Sequence, residues 1–166
     1  MVFIQAGMPS RTQIESYQEI SQRIDDLTRS INDKYGNDSW KPVIPLTKSL
    51  APSTLAALRR LANFCVVSSL HDGMNLVAKE FVASRVDEDG VLILSQFTGA
   101  AVELRDALLI NPYAIHEFSR KIQEAIEMPQ VERQRRMKTM REIVASNNIY
   151  RWGASIVSRL ISIAEV

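Results

Sequence analysis

Residues 64–80 read FCVVSSLHDGMNLVAKE, and they give the clearest indication of the fold class. Its first part, Phe64–Ser68, is a short apolar run of the kind that forms a strand buried on both faces. Gly73 follows, and Met74–Arg85 then has the pattern of a helix. A strand that leads through a glycine-containing turn into a helix is typical of a β-α-β unit, so we expect a parallel sheet covered by helices.

The same alternation of strands and helices extends along the rest of the chain. From Ile14 to Ile31 apolar residues recur three and four positions apart, which predicts an amphipathic helix. Thr12 with Glu15 matches a capping box at its start, and Gly36 stands where a glycine commonly ends a helix. Further strands are predicted at Val2–Gln5, Lys41–Thr47, Val91–Ser95 and Leu108–Asn111, and further helices at Thr54–Ala62, Thr98–Asp106, Ala114–Glu127, Val131–Ala145 and Ile149–Ile163.

Composition excludes several classes of protein. The chain has 166 residues, the size of one domain, with 46% apolar and 23% charged residues, as in ordinary globular proteins. The chain contains no continuous apolar window of about 18 residues, so no transmembrane helix is expected. Its first residues lack the features of a signal peptide. A net charge of +1 argues against nucleic acid or an anionic membrane as a partner. The single cysteine, Cys65, excludes an intramolecular disulfide and is consistent with the cytoplasm.

The turn after Phe64–Ser68 is the strongest candidate for a binding site, because ligands of open parallel sheets lie beyond the carboxyl ends of the strands. The unpaired N–H groups at the start of the following helix favour an anion. Asp72 and Glu80 could border one cleft, and carboxylates that accept hydrogen bonds from vicinal hydroxyls suit a sugar and a ribose. The residues alone leave open a plain polar loop followed by a helix with a solvated Glu80.

Other chemistry-bearing residues favour structural interpretations. Ser95–Ala101 is a second turn from a strand through a glycine into a helix, which is a weak ligand-binding pattern. His71 is interpreted as a polar loop residue, Cys65 as a small core residue and Arg11 as an exposed residue near a helix cap. The basic residues between Arg120 and Arg151 are typical of a solvated helix surface, since the aromatics of a nucleic-acid site are missing among them.

Residues 72–80, DGMNLVAKE, resemble the signature of the trehalose-6-phosphate synthases, which are retaining glycosyltransferases with two Rossmann-like domains facing a cleft. Further similar residues, among them Trp40–Pro42, Gly99–Ala101 and Ala107–Tyr113, extend the resemblance over essentially the whole chain. Glucosylglycerol-phosphate synthases share the signature, so the acceptor is less determined than the donor.

The resemblance implies transfer of glucose from UDP-glucose to glucose 6-phosphate, which gives trehalose 6-phosphate and UDP, with no cofactor and no metal. By motif match, Asp72 would meet the hydroxyls of the donor glucose, and the amides of Gly73 to Leu76 would lie along the glucose and diphosphate. Glu80 would hold the ribose, and Val77 and Leu55 would flank the uracil. The expected UDP-glucose residues are therefore Leu55, Asp72, Gly73, Met74, Asn75, Leu76, Val77 and Glu80.

Departures from the family pattern restrict this expectation. The family's acceptor domain and the first βα unit of its donor domain, which carries an Arg and a Lys that clamp the diphosphate, have no counterpart in these residues. His71 stands where an arginine is frequent, and Ser49–Leu50 where some members have an aromatic residue. We therefore expect residues 1–166 to be a single partial domain with an incomplete Rossmann-like sheet and carboxyl-terminal helices, catalytically inactive alone.

The expected partners follow from the same resemblance. They are UDP-glucose, bound weakly, and either the acceptor domain or a second copy that associates through the incomplete sheet. The alternatives are a non-catalytic regulatory or interaction module of the same fold and a fragment of a glucosylglycerol-phosphate synthase.

Overall fold

The structure is a computed structural model that describes residues 1–7 and 15–164. Contacts within the chain divide it into two compact units, Met1–Ala51 and Pro52–Val166. Thr12 of the predicted capping box and Arg11 lie outside the described residues. The α/β class with parallel sheets flanked by helices is confirmed, and the assignment of all 166 residues to one partial domain stays a prediction.

The first unit contains a parallel pair of strands and one long helix. Strands β1 (Phe3–Ala6) and β2 (Val43–Leu46) pair in register from Phe3 with Val43 to Ala6 with Leu46. Helix α1 (Glu15–Tyr35) connects them and ends just before Gly36, as predicted, and the N–H of Gly36 donates to the carbonyl of Asn32 at 2.8 Å. The side chain of Asn32 also exchanges two hydrogen bonds with the backbone of Val43, at 2.9 and 3.0 Å, which fastens the end of α1 to β2.

The apolar stripe of α1 is largely exposed. Ile20 is 57% exposed, Ile24 39% and Leu27 62%. A sheet of two four-residue strands offers little apolar surface to a helix of 21 residues. The apolar residues of α1 therefore follow the helical period but are not buried, whereas such a stripe usually faces a core.

The second unit is built around a three-stranded parallel sheet in the order β3-β4-β5. All five residues of the central strand β4 are buried. One face of the sheet packs on a core that includes Phe81, Met137 and Met140, and the other on a core that includes Ala125 and Met128. The elements are α2 (Pro52–Leu61), β3 (Phe64–Val67), α3 (Leu76–Ser84), β4 (Val91–Ser95), α4 (Ala100–Glu103), β5 (Leu108–Ile110), α5 (Ile115–Glu127), α6 (Gln130–Ser146) and α7 (Ile149–Ala164).

Three local expectations are wrong. Strand β3 is not buried on both faces: Phe64, Cys65 and Val66 are only partly buried, because β3 is an edge strand with β4 as its partner. The helix expected at Thr98–Asp106 is a single turn, α4. Helix α3 begins two residues later than expected, because Asn75 takes a left-handed conformation (φ +66°) and caps it.

Two further predictions concern Cys65 and the absence of membrane-spanning helices. Burial raises the pKa of the Cys65 thiol to about 11, so the thiol stays protonated at neutral pH, and Cys65 packs, partly buried, against the core. Over residues 1–7 and 15–164, no helix has the length and apolar content needed to cross a membrane.

Candidate functional site

A shallow, open cleft lies at the carboxyl end of β3, where parallel sheets place their ligands. Its volume is about 360 Å³. The loop that follows β3 and the start of α3 form its walls, so the cleft coincides with the turn that the sequence singles out. The lining residues are Val66, Val67, Ser68, Ser69, Asn75 and Val77.

Asp72 organises the loop between β3 and α3. Its Oδ1 accepts hydrogen bonds from the backbone N–H groups of Met74 and Asn75, both at 3.0 Å, and its Oδ2 accepts one from Asn75 Nδ2 at 2.9 Å. The bond from the Met74 N–H, followed by that from the Asn75 side chain, lowers the pKa of Asp72. The carboxylate is therefore charged at neutral pH, and Oδ2 keeps capacity for one more donor.

Asn75 joins this loop to helix α3. Its Oδ1 accepts a hydrogen bond from the N–H of Ala78 at 2.9 Å, which caps the helix. In the part of the chain that the structure describes, no hydrogen bond occupies the N–H of Gly73 or of Leu76. Of the four amides expected to face a ligand, those of Met74 and Asn75 thus bind Asp72, and the other two remain available.

The turn after β4 holds the loop between β3 and α3 through backbone hydrogen bonds. The N–H of Gly99 donates to the carbonyl of Asp72 at 2.9 Å, and the N–H of Ala100 donates to that of Met74 at 2.8 Å. A Cβ atom on Gly99 would lie 2.1 Å from the carbonyl oxygen of Gly73. The glycine-containing turn after β4 therefore positions the glycine-containing turn after β3.

Glu80 lies one turn further along α3 and forms a salt bridge with Arg59 of α2. The side chain of Glu80 is 51% exposed and that of Arg59 19%. Sequence reasoning missed Arg59. The signal that could have found it is its spacing of four from Leu55, which places both residues on one face of α2.

Arg85, at the end of α3, holds the end of α2. Its Nη1 lies 2.6 Å from the carbonyl oxygens of both Arg60 and Ala62, and its Nε donates to the carbonyl of Asp89. Only 5% of Arg85 is exposed. A buried guanidinium thus closes the carboxyl end of α2, where helix carbonyls lack partners and a cation is favourable.

The structure brings some of the predicted site residues together and keeps others apart. The loop residues from Asp72 to Asn75 form one bonded cluster, and Asn75 and Val77 line the cleft. Glu80 is bonded to α2, the helix that also carries Leu55. Over the described ranges no hydrogen bond or salt bridge joins Asp72 to Glu80. The two carboxylates therefore belong to separate polar groups, that of Asp72 in the loop before α3 and that of Glu80 on α3 itself.

The model of glycosyltransferase family 20 matches residues 1–162. The chain belongs to this family. The family expected from residues 72–80 is therefore confirmed, and the cleft at β3 lies within the fold of this glycosyltransferase family.

Individual members of glycosyltransferase family 20 agree with this assignment. The bifunctional trehalose-6-phosphate synthase/phosphatase of Thermoproteus tenax is 41% identical over 161 residues, which are 97% of this chain and 22% of that protein. The Escherichia coli trehalose-6-phosphate structure bound with UDP-2-fluoro glucose superposes with a TM-score of 0.91 at 36% identity, over 96% of this chain and 36% of the other.

A third relative is the alpha,alpha-trehalose-phosphate synthase (UDP-forming) of Burkholderia xenovorans in complex with glucose-6-phosphate. It gives a TM-score of 0.91 at 38% identity, over 96% of this chain and 35% of that one. The chain thus spans 22% to 36% of the length of these three relatives.

Proposed function

We propose that this chain is the donor-binding portion of an α,α-trehalose-phosphate synthase, which transfers glucose from UDP-glucose to glucose 6-phosphate. The observation that carries the proposal is the hydrogen-bonded loop from Asp72 to Asn75, whose last residue lines the cleft. The names of the relatives and the UDP-2-fluoro glucose bound to one of them support a nucleotide sugar as the ligand. The cytoplasm, as the place of the reaction, stays a prediction.

Each residue of the proposed site has a distinct task in this proposal. A glucose hydroxyl donates to the remaining position on Asp72 Oδ2, and the N–H groups of Gly73 and Leu76 face the diphosphate at the positive end of α3. Glu80 accepts hydrogen bonds from the ribose hydroxyls. Met74 and Asn75 hold the loop in shape through their bonds to Asp72. The apolar side chains of Val77 and Leu55 flank the uracil.

Transfer requires more than this cleft supplies. Departure of UDP from the glucose develops negative charge on the diphosphate, and cationic side chains would stabilise that charge beyond what two backbone N–H groups supply. Among the described residues that line the cleft, none is Lys or Arg. A polypeptide of these 166 residues is therefore proposed to bind the donor without turning it over.

Calorimetric titration of this polypeptide with UDP-glucose tests the proposal. We expect binding in the high micromolar range or weaker, and at least about ten-fold weaker binding for Glu80→Ala, since each hydrogen bond to its charged carboxylate contributes about 1.5 kcal/mol. Addition of glucose 6-phosphate should give no trehalose 6-phosphate.

The matched control is Glu142→Ala, which removes an exposed glutamate of α6 and should leave binding unchanged. A folded chain that does not bind UDP-glucose would contradict the proposal and favour a non-catalytic interaction module. Turnover at an ordinary enzymatic rate of about 1 per second or more would contradict the expected inactivity.

We also propose that the isolated chain associates with itself. The apolar residues Phe3 and Ile4 of β1 are 48% and 44% exposed, and the stripe of α1 is exposed as well. Exposed apolar patches and strand edges favour association. Light scattering behind size-exclusion chromatography at several concentrations is expected to show a mass that rises with concentration, whereas a constant monomer mass would contradict association.

A further inference from the structure

A salt bridge joins the two helices beside the cleft, from Arg59 Nη2 on α2 to Glu80 Oε2 on α3. We infer that Arg59 is a positioning residue, which holds the carboxylate of Glu80 in the orientation that receives the ribose diol of the nucleotide. This inference rests on the proposed function, and it adds a residue to the site that the resemblance does not supply.

The first support is the asymmetry of exposure within the pair. The Arg59 side chain is mostly buried at 19% exposure, whereas the Glu80 side chain is half exposed at 51%. A long, half-exposed glutamate has several rotamers of similar energy, and binding that selects one of them loses conformational entropy. A buried guanidinium bonded to one oxygen restricts those rotamers before the ligand arrives.

The second support is the use of the two carboxylate oxygens. Arg59 bonds to Oε2, and within the described residues no hydrogen bond reaches Oε1. Glu80 therefore presents one oxygen with unused acceptor capacity while the other is held. Because a carboxylate oxygen has two acceptor positions, Oε1 can serve both hydroxyls of a ribose.

The third support is that the backbone of Arg59 is itself held. The guanidinium of Arg85 bonds to the carbonyls of Arg60 and Ala62, which follow Arg59 at the end of α2. The end of α2 cannot rotate or unwind without breaking those bonds. A chain of contacts thus runs from Arg85 through the end of α2 and Arg59 to Glu80.

Comparison of UDP with 2′-deoxyuridine 5′-diphosphate isolates the contribution of the 2′-hydroxyl of the diol, because the two ligands share the base, the 3′-hydroxyl and the diphosphate. The wild-type chain is expected to bind UDP about ten-fold more tightly, the usual effect of one hydrogen bond to a charged group. In Arg59→Met, which keeps an unbranched side chain, this preference should fall below about three-fold, with a wild-type thermal transition. Arg60→Met is the matched control on the same helix and should keep the full preference.

Glu80→Gln separates action through Glu80 from a direct effect of the arginine charge. We expect Glu80→Gln to remove most of the preference for UDP, and Arg59→Met added to Glu80→Gln to remove no more of it. A further loss in the double variant would show that Arg59 acts independently of Glu80 and would overturn the inference.

The outcomes distinguish this inference from the proposed function. A folded wild-type chain that does not bind UDP, or does not prefer it over the deoxy ligand, contradicts the placement of Glu80 at a ribose and overturns both. A wild-type preference that Arg59→Met leaves intact overturns the role of Arg59 alone. If Arg59→Met does not fold, Arg59→Lys replaces it: an intermediate preference supports the inference, because lysine keeps the charge without the planar guanidinium, and a full preference overturns it.

Discussion

Gly99→Ala is expected to destabilise the second unit by about 3 kcal/mol, at the upper end of the usual cost of overpacking, and to abolish binding of UDP-glucose. The new Cβ atom would lie 2.1 Å from the carbonyl oxygen and 2.8 Å from the carbonyl carbon of Gly73. These are backbone atoms, so no side chain can rotate away to make room. Because φ of Gly99 is −60°, alanine itself suits the backbone there, and the whole effect comes from the steric clash.

Gly73→Ala is the matched control for the predicted loss of stability. A Cβ atom on Gly73 has nothing within 4 Å, so the variant should have nearly the wild-type free energy of unfolding. Urea denaturation of both variants, followed by titration with UDP-glucose, measures the two effects. Equal stability of Gly99→Ala and Gly73→Ala would show that the loop shifts to accept the methyl group, and that its position does not depend on Gly99.

Arg85→Met is expected to lower the free energy of unfolding by about 3 kcal/mol. The change leaves the carbonyl groups of Arg60, Ala62 and Asp89 without the guanidinium that now donates to them. Buried acceptors that lose their donor cost more than the bonds themselves contribute, since water cannot replace the donor. Methionine fills much of the same space, so the loss reports the polar contacts rather than a cavity.

Arg120→Met is a suitable comparison, because Arg120 is exposed on α5 and its side chain makes no hydrogen bond over the described ranges. Its free energy of unfolding should change by no more than about 0.5 kcal/mol. The measurement is urea denaturation of both variants beside the wild type. An Arg85→Met variant as stable as Arg120→Met would show that water satisfies the end of α2 and that Arg85 is not its anchor.

The order and type of the elements could be predicted from the sequence, because both depend on patterns that are local. Val91–Ser95 is a continuous apolar run and forms β4 with the predicted bounds. The regular spacing from Ile115 onward gives α5, and Pro129 separates it from α6 as expected. The glycine-containing turn after β3 likewise marks the position of the cleft.

Errors arose where a neighbour, rather than the local pattern, decides the outcome. An apolar run such as Phe64–Ser68 reads the same in an edge strand as in a central one, and only strand pairing shows that β3 has an exposed side. The late start of α3 depends on a left-handed Asn75 that is bonded to Asp72, a conformation that no periodicity signals.

The family, the α/β class and the loop proposed to carry the site could all be predicted from the sequence, since each follows from residues close together in the chain. The partners that the carboxylates of Asp72 and Glu80 bind are visible only in the tertiary structure. Asp72 turns its oxygens toward the loop that it shapes, and Glu80 bonds to Arg59, a residue 21 positions away. The pair of Glu80 and Arg59 forms because folding brings α2 beside α3, and the turn after β4 holds the loop of Asp72 through the N–H of Gly99. Contacts between such distant segments leave no periodic trace in the sequence.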